Sequence, residues 1–345
     1  MTRPITGRVE SGQRRSGAPD PMRSGQPAPV AEPGIARIAV DLLGGDEAPA
    51  VVVDGALRAC QADPTLQLLL VGPPEAAELL LSALPPAEHH RVGSLAVAEP
   101  DPAACTSITV QAVAQGLADA VLSAGDTGAI VLSAARALGR WPGIRRPPLA
   151  ALLPTATGRL VLLDVGSSVD PDGLTLVNHA RLGAAYASIV CGVAAPRVGL
   201  LTIGTERGKG DRLRRAAAEL FADLELPAGA RYVGRVEGHD VVTGIPADVV
   251  VTDGFSGNVL LKGLETAYAT IGQPAPDRPP PPRAAALLGV SGTVVVCHGA
   301  ASGRDIAAGI GLAATLHRHD AVPVMAELTH GPTIPQVHQE VVHEQ

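Results

Sequence analysis

The chain has 345 residues, 46% hydrophobic and 2% aromatic, with a formal net charge of −7. That length fits two domains or one large α/β domain at ~150 residues per domain, and the charge excludes the global basic field of nucleic-acid binders. Scarce aromatics also remove the stacking platforms that single strands need.

Residues 1–34 are rich in Pro, Gly, Ser and Arg without periodicity. They read as a disordered tail lacking the apolar segment of a signal peptide. The run 37–41 is a first strand and 42–46 its turn, with Pro49 in the first turn of the next helix. Runs 66–71 and 92–98 are strands, with a helix at 75–84 between them. Such alternation predicts βαβ units and a mostly parallel sheet. A strand at 120–123 leads through a turn at 124–128 into a helix ending near Leu138. Strands 149–154 and 160–164 flank Thr155-Ala156-Thr157-Gly158 and read as an antiparallel hairpin. A helix covers 175–191, with His179 as a capping or surface residue. A strand at 198–203 ends in the turn 204–211, and the next helix opens with Arg212, Arg214 and Arg215. The β-branched run 248–252 reads as a strand buried on both faces, followed by the turn 253–258 and a helix to about Ile271. Residues 273–283 form a proline-rich linker, which cannot be helix. The last strand is 293–297, with a turn at 298–302 and a helix at 305–316.

These elements predict a three-layer α/β/α sandwich with a mostly parallel, Rossmann-like sheet over residues 35–328, followed by a tail from 329 to 345. Turns that leave the C-terminal ends of parallel strands and feed helices are where anions bind. Six such turns are expected to line one crevice. Their candidate ligand residues are Asp41, Gly44, Gly45 and Asp46; Gly125, Asp126, Thr127 and Gly128; Asp164; Gly204, Thr205, Glu206 and Lys209; Asp253, Gly254, Phe255, Ser256, Gly257 and Asn258; and His298 and Gly299. Two look-alikes fail. The segment from Gly204 to Lys209 has three residues between its first Gly and Gly208-Lys209, where a phosphate loop has four, and lacks the following Ser or Thr. The Gly309–Ala314 segment matches a dinucleotide pattern but lies inside a helix. Cys60, Cys105, Cys191 and Cys297 are scattered without Cys-x-x-Cys spacing, so neither a metal site nor a disulfide framework is expected. No cofactor is expected. The cysteine usage fits a reducing cytoplasm, and the short apolar runs do not reach the ~20 residues of a membrane span.

The motifs IAVDLLGGDEAP, SAGDTGA, LLDVGSSVD, VGLLTIGTERGKGD, DVVVTDGFSGNVLLK and HGAAS resemble, in order and spacing, those of the PlsX-type phosphate acyltransferases. The resemblance spans residues 35–316. It implies transfer of a fatty acyl group from acyl carrier protein to inorganic phosphate, and a homodimer. The chain departs from the family pattern at several places. Asp126, Ser167, Ser168 and Ala300 replace the family's Asn, Ala, Asn and Ser, and Asp305 stands where Asn is common. A basic segment before Thr106 is missing. The proline linker at 273–283 replaces a helical hairpin, which argues against membrane contact. Two other readings stand beside acyl transfer. One is a non-catalytic paralogue that binds carrier protein, and the other a short-chain phosphotransacetylase using coenzyme A.

The implied chemistry is attack of a phosphate oxygen on a thioester carbonyl. The oxyanion formed needs preorganised donors, worth ~3–4 kcal/mol each. Lys209 is the expected phosphate cation, and Asp253 the residue that orients phosphate or takes its proton. Cys297 and His298 are neighbours on a strand and point to opposite faces, so they read as a core cysteine and a site-lining histidine. Arg207, Arg212, Arg214 and Arg215 beside Lys209 are the expected docking patch for an acidic carrier, with Arg145 and Arg146 as a second.

Overall fold

The computed structural model describes residues 34–97, 101–206, 208–274 and 283–329. The tail 1–33, Arg207, linker residues 275–282 and the His-bearing tail from 330 lie outside the described residues. In chain order the first half runs β1 (Ala36–Asp41), α1 (Ala50–Ala62), β2 (Leu66–Gly72), α2 (Pro74–Ala83), β3 (Val92–Ala96), α3 (Pro102–Ala114), β4 (Ala120–Ser123) and α4 (Thr127–Ala137). A hairpin of β5 (Leu149–Pro154) and β6 (Arg159–Leu163) follows. Then come α5 (Gly173–Cys191), β7 (Arg197–Leu201), α6 (Arg212–Ala222), β8 (Arg231–Val236), α7 (Gly238–Thr243), β9 (Val249–Val251) and α8 (Gly254–Ile271). The chain returns through β10 (Ala284–Leu287), β11 (Thr293–Cys297), α9 (Gly303–Arg318) and α10 (Ala321–Thr329).

The described strands form one sheet in the order β3-β2-β1-β4-β11-β10-β5-β6-β9-β7-β8. Alternate side chains along each strand enter different layers. Ala150 and Leu152 of β5, with Val295 and Cys297 of β11, join a core with α1, α5 and α9. Leu149, Ala151 and Leu153, with Val294 and Val296, join the opposite core with Ile130 of α4 and Leu261 of α8. Helices therefore cover both faces, giving the expected three layers.

The sheet differs from the expectation in one consequential way. Strands β3, β2, β1, β4 and β11 are parallel, and so are β6, β9, β7 and β8. Three antiparallel pairings separate them: β11 with β10, β10 with β5, and β5 with β6. An odd number of reversals makes the two parallel halves run in opposite directions. The turns after β1, β4 and β11 therefore leave one edge of the sheet, and those after β6, β7 and β9 leave the other. The six turns form two groups, not the single row expected.

Many of the turn aspartates begin helices. Asp126, Asp172, Asp211 and Asp253 each accept a bond from a backbone N–H in the first turn of α4, α5, α6 and α8. Such caps contribute ~0.5–2 kcal/mol each. His179, expected as a capping or surface residue, is fully buried on α5 with Nε2 3.1 Å from the Arg146 carbonyl oxygen. Burial pushes its pKa down, against the opposing pull of Asp164 and of the Arg146 bond, so the neutral ring donates to that carbonyl.

Candidate functional site

The first group of turns is tied together by a carboxylate. Asp41, 1% exposed at the end of β1, accepts 2.7 Å bonds from the Thr106 and Ser123 hydroxyls and a 3.1 Å bond from Leu43 N–H. No cation pairs with it among the described residues, so three neutral donors satisfy it. Its task is to join β1, α3 and β4. Thr106, which sequence reasoning left as the remnant of a missing segment, is thereby a structural partner of Asp41. Gly44 lies so close to the β4 turn that a Cβ would sit 2.7 Å from Gly125 N. Asp46 N–H donates to Gly299 O at 2.8 Å, and the Asp46 carboxylate lies against Gly299. His298 Nδ1 accepts a 3.1 Å bond from Ala300 N–H, which leaves the proton of a neutral ring on Nε2. Asp126 caps α4 through Ala129 N–H at 2.8 Å, and Thr127 and Gly128 open that helix.

In the second group, Asp164 turns inward. It accepts from the backbone N–H groups of Leu149, Gly166, Ser167 and Ser168 at 2.5–3.2 Å. Two glycines of α8 permit close approach. A Cβ on Gly254 would meet Ser168 backbone at 2.9 Å, and one on Gly257 would meet the Asp164 carbonyl oxygen at 1.9 Å. Asp253 caps Ser256 N–H at 2.8 Å and is ion-paired to Arg214, whose side chain is only 11% exposed. Arg214 also donates to the Thr252 and Ser256 hydroxyls at 3.1 Å and to Asp211 at 2.6 Å. Burial pushes the Asp253 pKa up, but bonds from the Ser256 N–H and hydroxyl and the Arg214 charge outweigh it, leaving the carboxyl below its ordinary range. A carboxylate so held is a weak proton acceptor and a firm anchor. Gly204 is packed against Glu206 and the Lys209 side chain, and the Thr202 hydroxyl donates to its carbonyl at 2.5 Å. Thr205, Lys209, Arg212 and Arg215 are exposed, and Phe255 is 64% exposed. Arg214 therefore faces inward, unlike Arg212 and Arg215.

A groove of about 680 Å³ joins the two groups. Its floor is Leu149, Ala151 and Leu153 of β5 with Ala285 and Val296, and one wall is α8 with Asn258, Leu261, Lys262, Glu265 and Tyr268. Helix α8 follows β5 along its length. Asn258 Oδ1 lies near Gly166 at one end, and the Tyr268 hydroxyl donates to Pro154 O at 3.3 Å at the other. From Leu149 to Pro154 is ~17 Å at the rise of a strand, and from Asn258 to Ala269 ~16 Å at the rise of a helix. Register places Ala285 beside Ala151 and Ala284 beside Cys297, so Arg283 and His298 gather at the Pro154 end with Arg304 and Asp305 of α9. The groove is thus apolar near Leu149 and Val165 and charged near His298. Asn258 and His298, from opposite groups of turns, both line it, whereas Lys209 and Asp253 do not. Lys262, Tyr268 and Arg304 were not among the sequence candidates. The Cys297 thiol is buried and pushed up to about 12 by burial and Asp305, which leaves it inert. Among the described residues no group of His, Cys, Asp and Glu is spaced for a metal ion, and no helix is long and apolar enough to cross a membrane.

The sequence matches the family described as "Fatty acid synthesis protein" over residues 36–281. It is 40% identical over 320 residues to the phosphate acyltransferase of Thermobifida fusca, covering 82% of this chain and 87% of that protein. It is 37% identical over 331 residues to the phosphate acyltransferase of Salinibacter ruber, covering 84% and 97%. Among solved structures, a branched-chain phosphotransacylase from Enterococcus faecalis V583 superposes with a TM-score of 0.57 at 15% identity, covering 85% of this chain and all of that one. That likeness shows the fold. On the sequence matches, the chain belongs to the fatty acid synthesis protein family, together with the phosphate acyltransferases.

Proposed function

We propose that the protein transfers an acyl group from a carrier-protein thioester to inorganic phosphate in the groove along α8, giving an acyl phosphate for lipid synthesis. The observation that carries this reading is the groove itself: an apolar floor ~17 Å long that ends among Arg283, His298 and Arg304, with Lys262 on its α8 wall. The chain attached to the thioester lies on the floor and its carbonyl meets phosphate toward the charged end. A phosphate oxygen attacks the carbonyl carbon, the C–O bond forms as the C–S bond breaks, and the phosphate proton passes to the departing thiolate. No covalent bond to the enzyme is needed. The cations offset the charge of phosphate and oxyanion in a site partly shielded from water.

Asp253 serves in this reading as a positioning residue. Its cap and its pair with Arg214 fix the start of α8, and thereby Asn258 at the groove. Lys209 joins the exposed Arg212 and Arg215 as the docking face for an acidic carrier. Exposed Ile203 and Phe255 at the ends of neighbouring strands β7 and β9 supply its apolar contact. A cytoplasmic setting agrees with four free cysteines. A homodimer agrees with Val259 and Ile271 of α8, which are 58% and 82% exposed.

The test is phosphate-dependent thiol release from acyl-carrier protein and, separately, from acyl-coenzyme A. Release from the carrier thioester with acyl phosphate as product supports the reading. Release from coenzyme A alone moves the protein to the phosphotransacetylase reading, and release from neither moves it to the non-catalytic one.

A further inference from the structure

Lysine occurs at only two positions in this chain, 209 and 262, against twenty-five arginines. Ammonium groups are therefore scarce in this chain, and only their surroundings tell what each can do. Lysine and arginine differ in kind: an ammonium is a compact point charge with three rotatable donors, and a guanidinium is a wide planar fork. Lys209 is exposed on a turn outside the groove. Lys262 lines the groove.

The surroundings of Lys262 suit a small anion. It stands on the third turn of α8, with its side chain 36% exposed and Nζ 3.3 Å from Glu265 Oε2 one turn along. Leu261 beside it is buried in the core, which fixes the helix face that Lys262 presents. Arg283 donates to the Glu265 carbonyl at 3.1 Å, so a second cation is held at the same stretch of helix. His298 and Arg304 also line the groove. Glu265 sets the direction of the ammonium and repels an anion from its own side, leaving the groove side of Lys262 for the ligand.

We propose that Lys262 is the ammonium that binds inorganic phosphate in the groove, between its apolar and charged ends, oriented by Glu265. This rests on the acyl-transfer reading for its substrate and transfers to Lys262 the role that sequence spacing suggested for Lys209. A purely structural Lys262 would be an exposed helix pair with Glu265, which arginine would replace without loss.

Phosphate binding is measured by calorimetry without acyl donor, and turnover by acyl-phosphate formation, for wild type, Lys262→Ala, Lys262→Met, Lys262→Arg and Glu265→Gln. Lys262→Met keeps the length of the side chain and guards against a packing effect. The expected result is that Lys262→Ala and Lys262→Met weaken phosphate binding and raise its KM about tenfold or more, with the thioester KM within about twofold of wild type. Lys262→Arg fails to restore phosphate KM, and added methylammonium partly restores the rate of Lys262→Ala. Phosphate affinity within about twofold of wild type in Lys262→Met, or full function in Lys262→Arg, overturns the proposal. The two readings fail separately. Turnover with normal phosphate affinity after loss of Lys262 sinks the subsite and keeps the activity. Phosphate bound through Lys262 without acyl-phosphate formation keeps the subsite and sinks the activity.

Discussion

Replacing Arg214 with methionine tests how the second group of turns is held. The guanidinium bridges α6 to β9 and α8 through Asp211, Thr252, Asp253 and Ser256. The Arg214 and Asp253 side chains are 11% and 7% exposed, so the pair is buried. Removing one partner of such a pair costs ~3–5 kcal/mol, because the other charge stays buried without compensation. Asp253 keeps its bond from Ser256 N–H, which places the expected loss near the lower figure, ~3 kcal/mol. The pH dependence has a definite sign. The folded-state pKa of Asp253 is depressed, so its contribution is fully present above the unfolded value of ~3.9 and is lost as pH falls through the folded value. In Arg214→Met the depression is partly relieved, since the Ser256 bonds remain and the Arg214 charge is lost. The stability gap between wild type and variant is therefore complete at neutral pH and narrows below about pH 4. Urea denaturation followed by circular dichroism at neutral and acid pH measures it. Arg214→Met combined with Asp253→Asn should lose less than the sum of the two single changes, since both partners go together. A loss below ~1 kcal/mol in Arg214→Met, the level of an exposed pair, or a gap that stays constant into acid, would refute the reasoning.

Thr106→Val removes one of the donors to the buried Asp41 carboxylate and should cost ~1–3 kcal/mol in urea denaturation. Gly257→Ala drives a Cβ into the Asp164 carbonyl oxygen, whereas Gly263→Ala on the same helix meets nothing within 4 Å. The first should destabilise by more than ~4 kcal/mol and the second stabilise by ~0.4–1 kcal/mol, as read from thermal melts. Arg212→Glu with Arg215→Glu reverses two exposed charges and should raise the KM for carrier thioester about tenfold while leaving phosphate KM unchanged. An effect that persists in high salt would count against docking by these two side chains.

Much of the fold was legible because most parallel strands announced themselves; β8, Arg231–Val236, went unread. The β-branched run at Val249–Val251 and the apolar run before the Gly-rich turn at Ala120–Ser123 needed only local pattern. The β5–β6 hairpin followed from the Thr155–Gly158 turn, whose N–H and carbonyl groups pair as expected. The reversal of the sheet was not legible. It depends on strand order: the β5–β6 hairpin was read, but no local pattern says that it separates two groups of parallel strands, and β10, four residues rich in alanine, has neither β-branched side chains nor a turn signal. Site residues divided along the same line. Asn258 and His298 could be named because they belong to Gly-rich motifs, although Asn258 lies within α8 and not in the expected turn. Lys262 stands one helical turn further on, and only the course of α8 along β5 brings it to the groove. Arg214 looked like one of several surface cations. Its inward direction is set by Asp253, 39 residues away, which no local window contains.

The most direct test of the account is acyl-phosphate formation by the purified protein from acyl-carrier protein, followed by phosphorus NMR with and without inorganic phosphate. The account predicts a phosphate-dependent acyl-phosphate signal that grows in step with free thiol and falls sharply in Lys262→Met. Thiol release that ignores phosphate, or no acyl phosphate from any carrier or coenzyme A thioester, would contradict it.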